Sequence, residues 1–137
     1  MNQTPDKSIF ELLGAAHALE AKLEDALNRA QLSSPKFAVL NELVGVPEPL
    51  PLSELASRLS CVRSNMTQLI DRLEADGLVK RVQCANDRRL VKAEITEAGR
   101  ERQHAGAEEI AKLHAEFASK VRDDDRAAIG RLLSALD

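Results

Sequence analysis

Ser53 to Thr96, SELASRLSCVRSNMTQLIDRLEADGLVKRVQCANDRRLVKAEIT, reads as two short helices, a glycine stop and a two-stranded ribbon with a charged tip. Ser53 is placed to cap the first helix, and Leu55, Ala56 and Leu59 give it an apolar stripe. Ser60, Cys61 and Val62 make the turn. A second helix runs from Arg63 to about Asp76, with Met66, Leu69, Ile70 and Leu73 recurring on one face. Gly77 falls where a left-handed C-terminal cap is wanted, because glycine has no Cβ to clash there. Leu78 to Gln83 and Leu90 to Ile95 then pair as strands across the loop Cys84 to Arg89. That order is a winged helix-turn-helix.

The polar residues left over on the second helix carry the functional reading. Its outer face presents Arg63, Ser64, Asn65, Thr67 and Gln68, with Arg72 further along. Short polar side chains beside arginine suit base edges and phosphates in a major groove. An ordinary solvated helix face would look much the same. The ribbon tip argues for DNA: Arg88 and Arg89 beside Asp87 suit entry into a minor groove, where negative potential concentrates. A solvated turn is the alternative reading of the tip alone.

These residues resemble the MarR-type bacterial transcription regulators. The matching segments are Leu52 to Ala56, Ser64 to Val79, Asp87 to Arg89, and Ile95 to Arg100, the central block being the most specific. The resemblance implies a homodimer whose recognition helix enters the major groove and whose wing arginine enters the minor groove. By position it makes Asp87 the residue that pairs with and orients Arg89, the inserting arginine, with Arg88 a second phosphate contact. One departure is visible: the family's usual serine at the recognition-helix cap is Val62 here, so the cap falls to Ser60, Ser64 or water.

Charge supports a localised contact. The chain of 137 residues has a formal net charge of −3, yet residues 58–92 hold 8 Lys+Arg against 4 Asp+Glu. Residues 1–57 hold 4 against 8 and residues 93–137 hold 7 against 10, so acidic helices flank one basic segment. Such a distribution attracts phosphates to one face only. With 2% aromatic residues and no Trp or Tyr, aliphatic side chains must fill the core. No run approaches the roughly 18 apolar residues of a membrane span. Met1 to Lys7 is polar, which leads to the expectation of a cytoplasmic, nucleoid-associated chain without membrane contact.

The expected architecture is one mainly α domain with a small β-hairpin wing. Residues 32–95 form the DNA-binding lobe, and residues 8–30 and 97–137 form long dimerisation helices. Thr4 to Ser8 lead into the first helix, with Pro5 before it or in its first turn, and Ile9 through Ala30 follow helical spacing. Ser34 caps the next helix with Pro35 at its first position, and Phe37, Val39, Leu40, Leu43 and Val44 form its buried face. Three alternating prolines between Val46 and Pro51 make a stiff connector, with Leu50 and Leu52 flanking a short third strand. Thr96 caps a long helix to about Lys120, in which Gly99 and Gly106 allow close packing. Asp123 to Asp125 open the last helix, whose buried face is Ala127, Ala128, Ile129, Leu132, Leu133 and Leu136. Two lobes below intertwined termini would read pseudopalindromic operator DNA.

No catalytic constellation or glycine-rich phosphate loop is present, so no enzyme is expected. His17, His104 and His114 lack zinc-ligand spacing, and no metal or cofactor is expected. Cys61 and Cys84 are candidate redox residues. Cys61 fits a small buried hydrophobe, whereas Cys84 is expected to be more exposed, among Arg81, Arg88 and Arg89. The resemblance implies a repressor released by a small-molecule effector bound between the dimer helices and the lobe, with Leu13, His17 and Phe37 as candidate walls. A cysteine-based redox regulator and a winged-helix module that binds protein are the alternatives.

Overall fold

The computed structural model describes residues 6–137. The expected lead-in through Thr4 and Pro5 lies outside the described residues. Six helices and three strands follow in the order α1 (Ser8–Arg29), α2 (Ser34–Val44), β1 (Leu50–Pro51), α3 (Leu52–Arg58), α4 (Arg63–Ala75), β2 (Val79–Cys84), β3 (Asp87–Ile95), α5 (Glu97–Lys120) and α6 (Asp123–Leu136). The sheet is antiparallel with order β1-β3-β2. Leu50 pairs with Ala93 and Pro51 with Lys92, so the proline sits on an edge strand, where its missing N–H costs no ladder bond. The fold is the expected winged helix-turn-helix with long helices at both ends.

The core lies inside the lobe. Leu40, Leu55, Ile70 and Leu73 are fully buried, and Leu27 and Leu32 bring the end of α1 onto the same cluster. In α4 the buried residues are Met66, Ile70 and Leu73, at the four- and three-residue spacing of a single helix face. Phe37 and Val44 are only half-buried at the margin of this core.

Three helices end in the same way, and only one of them uses glycine. After α1, α3 and α4 the chain passes through a positive φ at Gln31 (58°), Ser60 (50°) and Gly77 (76°). In each case the following residue donates its N–H to a carbonyl five residues back: Leu32 to Leu27, Cys61 to Ala56, and Leu78 to Leu73. These are Schellman turns, which satisfy the last carbonyls and press the following apolar side chain onto the helix. Gly77 fills the role its residue type suggests. Gln31 and Ser60 accept the left-handed strain because the apolar residue after each one, Leu32 buried and Cys61 half-buried, is held by its backbone hydrogen bond to the helix.

Two caps differ from expectation by one or two residues. The cap of α2 is Ser33, whose Oγ accepts from the Lys36 N–H at 3.4 Å. Ser34 is already helical, and its N–H donates to Glu24 instead. Helix α3 begins at Leu52 with Pro51 before it, so Ser53 lies inside the first turn and does not cap. The pairing of Pro51 with β3 carries extended backbone directly up to that helix.

Thr96 fastens α5 to the lobe. Its Oγ1 accepts from the Gly99 N–H at 3.0 Å and donates to the Gly77 carbonyl at 2.7 Å. A Cβ on Gly99 would collide with the Leu78 carbonyl oxygen, and one on Gly106 would stand 2.9 Å from the Phe37 ring. Both glycines therefore permit the close approach expected of them. The apolar face expected to be buried on α6 is not covered within one chain: Ile129, Leu132, Leu133 and Leu136 are exposed. Ile9, Phe10, Leu12 and Leu13 on α1 are likewise exposed. Among the described residues no helix is long and apolar enough to cross a membrane.

Candidate nucleic-acid interface

Helix α4 offers two exposed stripes beside its buried one. Ser64, Gln68 and Arg72 lie one turn apart on the first, and all three are exposed. Arg63 and Thr67 begin the second, which continues into Asp71 and Glu74 and faces the wing. No side chain caps the helix, since Val62 is extended and makes no cap bond. Ser60 is committed to closing α3, and Ser64 lies within the helix. Thr67 Oγ1 donates to the Arg63 carbonyl at 3.1 Å, leaving its oxygen free to accept from a partner.

The wing is tighter than the six-residue loop expected. Cys84 pairs with Asp87 after a bulge at Gln83/Cys84, leaving Ala85 and Asn86 as the turn and placing Asp87, Arg88 and Arg89 at the start of β3. The Asp87 carboxylate accepts from the Arg89 backbone N–H at 2.9 Å. The expected pairing of Asp87 with Arg89 is therefore made through the backbone, with no ion pair between the side chains. It still fixes the backbone from which the Arg89 side chain projects. Among the described residues, the guanidinium groups of Arg63, Arg72, Arg88 and Arg89 have no carboxylate partner. Arg63 and Thr67 from the helix and Arg89 from the wing line one open groove, together with Leu52 and Ser53. Helix and wing residues thus face the same side, across a gap that carries uncompensated positive charge.

Arg81 behaves differently, and sequence reasoning missed its role. Its guanidinium turns back from β2 onto α4, donating to Glu74 at 2.9 Å and to Asp71 at 2.5 Å. Burial works against its charge, but the hydrogen bonds to Asp71 and then Glu74 outweigh that effect, and its pKa is raised. It is therefore not the free neighbour of Cys84 that the sequence suggests. Two carboxylates one turn apart on the exposed face of α4 are the signal for such a partner.

The other candidates are scattered. Cys61 and Cys84 are both free thiols and both half-buried, so Cys84 is not the distinctly exposed one. Cys61 and Val62 line a groove shared with Asn65 and Leu69. Leu13 and His17 are exposed on α1, His17 beside Glu20, while Phe37 packs against Gly106. One chain does not gather these three into a common groove. Among the described residues no group of three or more His, Cys, Asp or Glu is arranged to hold a metal ion.

A basic groove between a recognition helix and a wing defines the class: a winged helix-turn-helix protein. Residues 32–91 match the MarR family model, so this lobe is similar to the DNA-binding lobe of that family. The chain is 36% identical over 85 residues to the HTH-type transcriptional regulator YkoM of Bacillus subtilis, a match covering 62% of this chain and 51% of YkoM. The match thus spans about half the length of that relative. Two solved structures share the fold at low identity. One is the MepR–DNA complex of S. aureus (TM-score 0.79, 16% identity, 98% of this chain and 96% of that one). The other is CouR of Rhodococcus jostii RHA1 bound to p-coumaroyl-CoA (TM-score 0.76, 20% identity, 98% and 95%).

Proposed function

We propose that this chain is a sequence-specific, double-stranded DNA-binding transcription regulator, a homodimeric repressor released by a small-molecule ligand, and not an enzyme. The groove in which Arg63 and Thr67 face Arg89, without carboxylates to neutralise the arginines, carries the reading. Ser64, Asn65 and Gln68 would read base edges, Arg89 would enter the minor groove, and Arg72 and Arg88 would contact phosphates. Residues 32–95 act as the DNA-binding lobe. Residues 8–30 and 97–137 supply the dimer contacts, for which the exposed apolar faces of α1 and α6 provide the material. Two lobes related by a two-fold axis would match a pseudopalindromic operator.

The match of residues 32–91 to the MarR family supports this reading, as does a shared fold with MepR, solved on DNA, and CouR, solved with p-coumaroyl-CoA. The effector would bind where the dimer helices meet the lobe, near Leu13, His17 and Phe37, and would favour a lobe spacing that does not fit DNA. The cytoplasm, at the nucleoid, is where such a protein would act. The test is binding of the purified protein to its own upstream intergenic DNA and to a scrambled duplex. Tight binding to the first, at least about a thousandfold over the second, is expected of a specific regulator. Weak and equal binding to both would bring forward a winged-helix module that binds protein.

A further inference from the structure

We propose that Arg81 is the positioning residue of the DNA interface, locking the wing to the recognition helix so that Arg89 and the Gln68 stripe engage adjacent grooves together. This rests on the DNA-binding reading above. Four hydrogen bonds join Arg81 to one stripe of α4. Its Nη1 donates to Glu74 Oε1 at 2.9 Å, and its Nη2 donates to Asp71 Oδ1 at 2.5 Å and to the Thr67 carbonyl at 3.4 Å. Its backbone N–H donates to the other oxygen of Glu74 at 2.9 Å. Thr67, Asp71 and Glu74 span about two turns of helix, roughly 10 Å. A single side chain thus sets both the angle and the register of β2 against α4.

The wing needs such a tie. Strand β1 pairs only with Lys92 and Ala93, so from Val91 to the tip the ribbon is two-stranded and marginal alone. Arg81, opposite Ala93, ties its three-stranded base to α4. The Arg81 side chain is 27% exposed, against 39% for Arg58 and 59% for Arg29, so its geometry is the least free of these three ion-paired arginines. Thr67, whose carbonyl it holds, lines the same groove as Arg89. A planar guanidinium can serve three acceptors in a fixed fork, whereas a lysine ammonium keeps the charge and loses the fork. The same hydrogen bonds offset one of the two negative charges of Asp71 and Glu74, which would otherwise repel phosphates more strongly.

The experiment is a double-mutant cycle between Arg81→Lys and Arg89→Ala. Its probe is a duplex selected by the unsubstituted protein from a random-sequence pool, with a scrambled duplex as control. Arg81→Lys is expected to weaken binding to the selected duplex about tenfold while leaving the scrambled duplex and its salt dependence unchanged. In the Arg89→Ala background the same substitution should cost nothing further, because no inserting side chain remains to be placed. Glu74→Gln provides a second variant should Arg81→Lys fold poorly. Removing a negative charge beside DNA should strengthen binding if only charge matters, and should weaken it if the clamp does. Additive effects in the cycle, equal weakening on both duplexes, or a strengthened Glu74→Gln would overturn the inference and leave the DNA-binding reading intact. An unsubstituted protein that enriches no duplex over the scrambled control would overturn both.

Discussion

The lobe and the terminal helices are built from similar aliphatic residues and meet opposite fates. In the lobe, Leu40, Leu55, Ile70 and Leu73 are fully enclosed by α2, α3, α4 and the sheet, and α3 and α4 each close in a Schellman turn. In the terminal helices, Phe10 is 76% exposed and Leu136 72%, and α6 buries no residue. A lobe whose core is closed on most sides, with Leu27 at the end of α1 joining it from the terminal helices, can hold a reading surface rigid while the far ends move. The ends can bury their apolar faces only against something else, and under the proposed function that is a second copy. Ligand control would then act on how the two lobes are spaced, leaving each lobe's interior unchanged.

The largest expected effects separate the two regions. Ile70→Ala should cost about 2–5 kcal/mol in urea-induced unfolding, because it opens a cavity in a closed core. That cost should not depend on protein concentration. Replacing Leu132 and Leu133 together by aspartate should leave the lobe folded while sedimentation shifts from dimer to monomer, and affinity for operator DNA should fall with it. A double variant that still sediments as a dimer would remove these helices from the interface and dissolve the contrast.

The contrast also explains what the sequence discloses. Helical spacing in Met66, Leu69, Ile70 and Leu73, with Gly77 as a stop, specifies α4 and its end because burial and a left-handed turn each demand particular residue types. Thr96 and the two glycines of α5 are legible for the same reason. The turns at Gln31 and Ser60 are not, since tertiary packing imposes a positive φ on residues that do not favour it. The wing reads as a longer loop because a bulge shifts the register at Cys84, a change that residue types do not announce. In the site, the residue types of α4 and the wing can be named from sequence. The ion pairing that leaves Arg63 and Arg89 free while engaging Arg81 depends on which elements pack together, and only the fold discloses that.

A smaller effect probes the joint between two of the terminal helices. Hydrogen bonds from Arg29, then Lys112, hold the Glu109 carboxyl below its ordinary value of 4.5, and the Arg29 hydrogen bond at 2.8 Å ties α1 to α5. A carboxylate whose native pKa is lowered stabilises the fold above its unfolded value, and that contribution disappears as pH falls through the native one. Glu109→Gln should therefore lower the Tm slightly at neutral pH and flatten its decline below about pH 4.5, measured by thermal melts across an acid series. An unchanged acid profile would mean that this pair does not join α1 to α5 in solution.

The central claim is that positive charge on α4 and the wing meets DNA directly. Its most direct measurement is a salt series for the unsubstituted protein and for an Arg88→Ala, Arg89→Ala variant on one selected duplex. The unsubstituted protein should bind tightly with a steep fall in affinity as salt rises. The variant should bind at least about tenfold more weakly, with a log–log salt slope shallower by roughly 0.9 for each phosphate no longer neutralised. Equal affinity and equal slope for the two proteins would contradict the assignment of the wing to DNA.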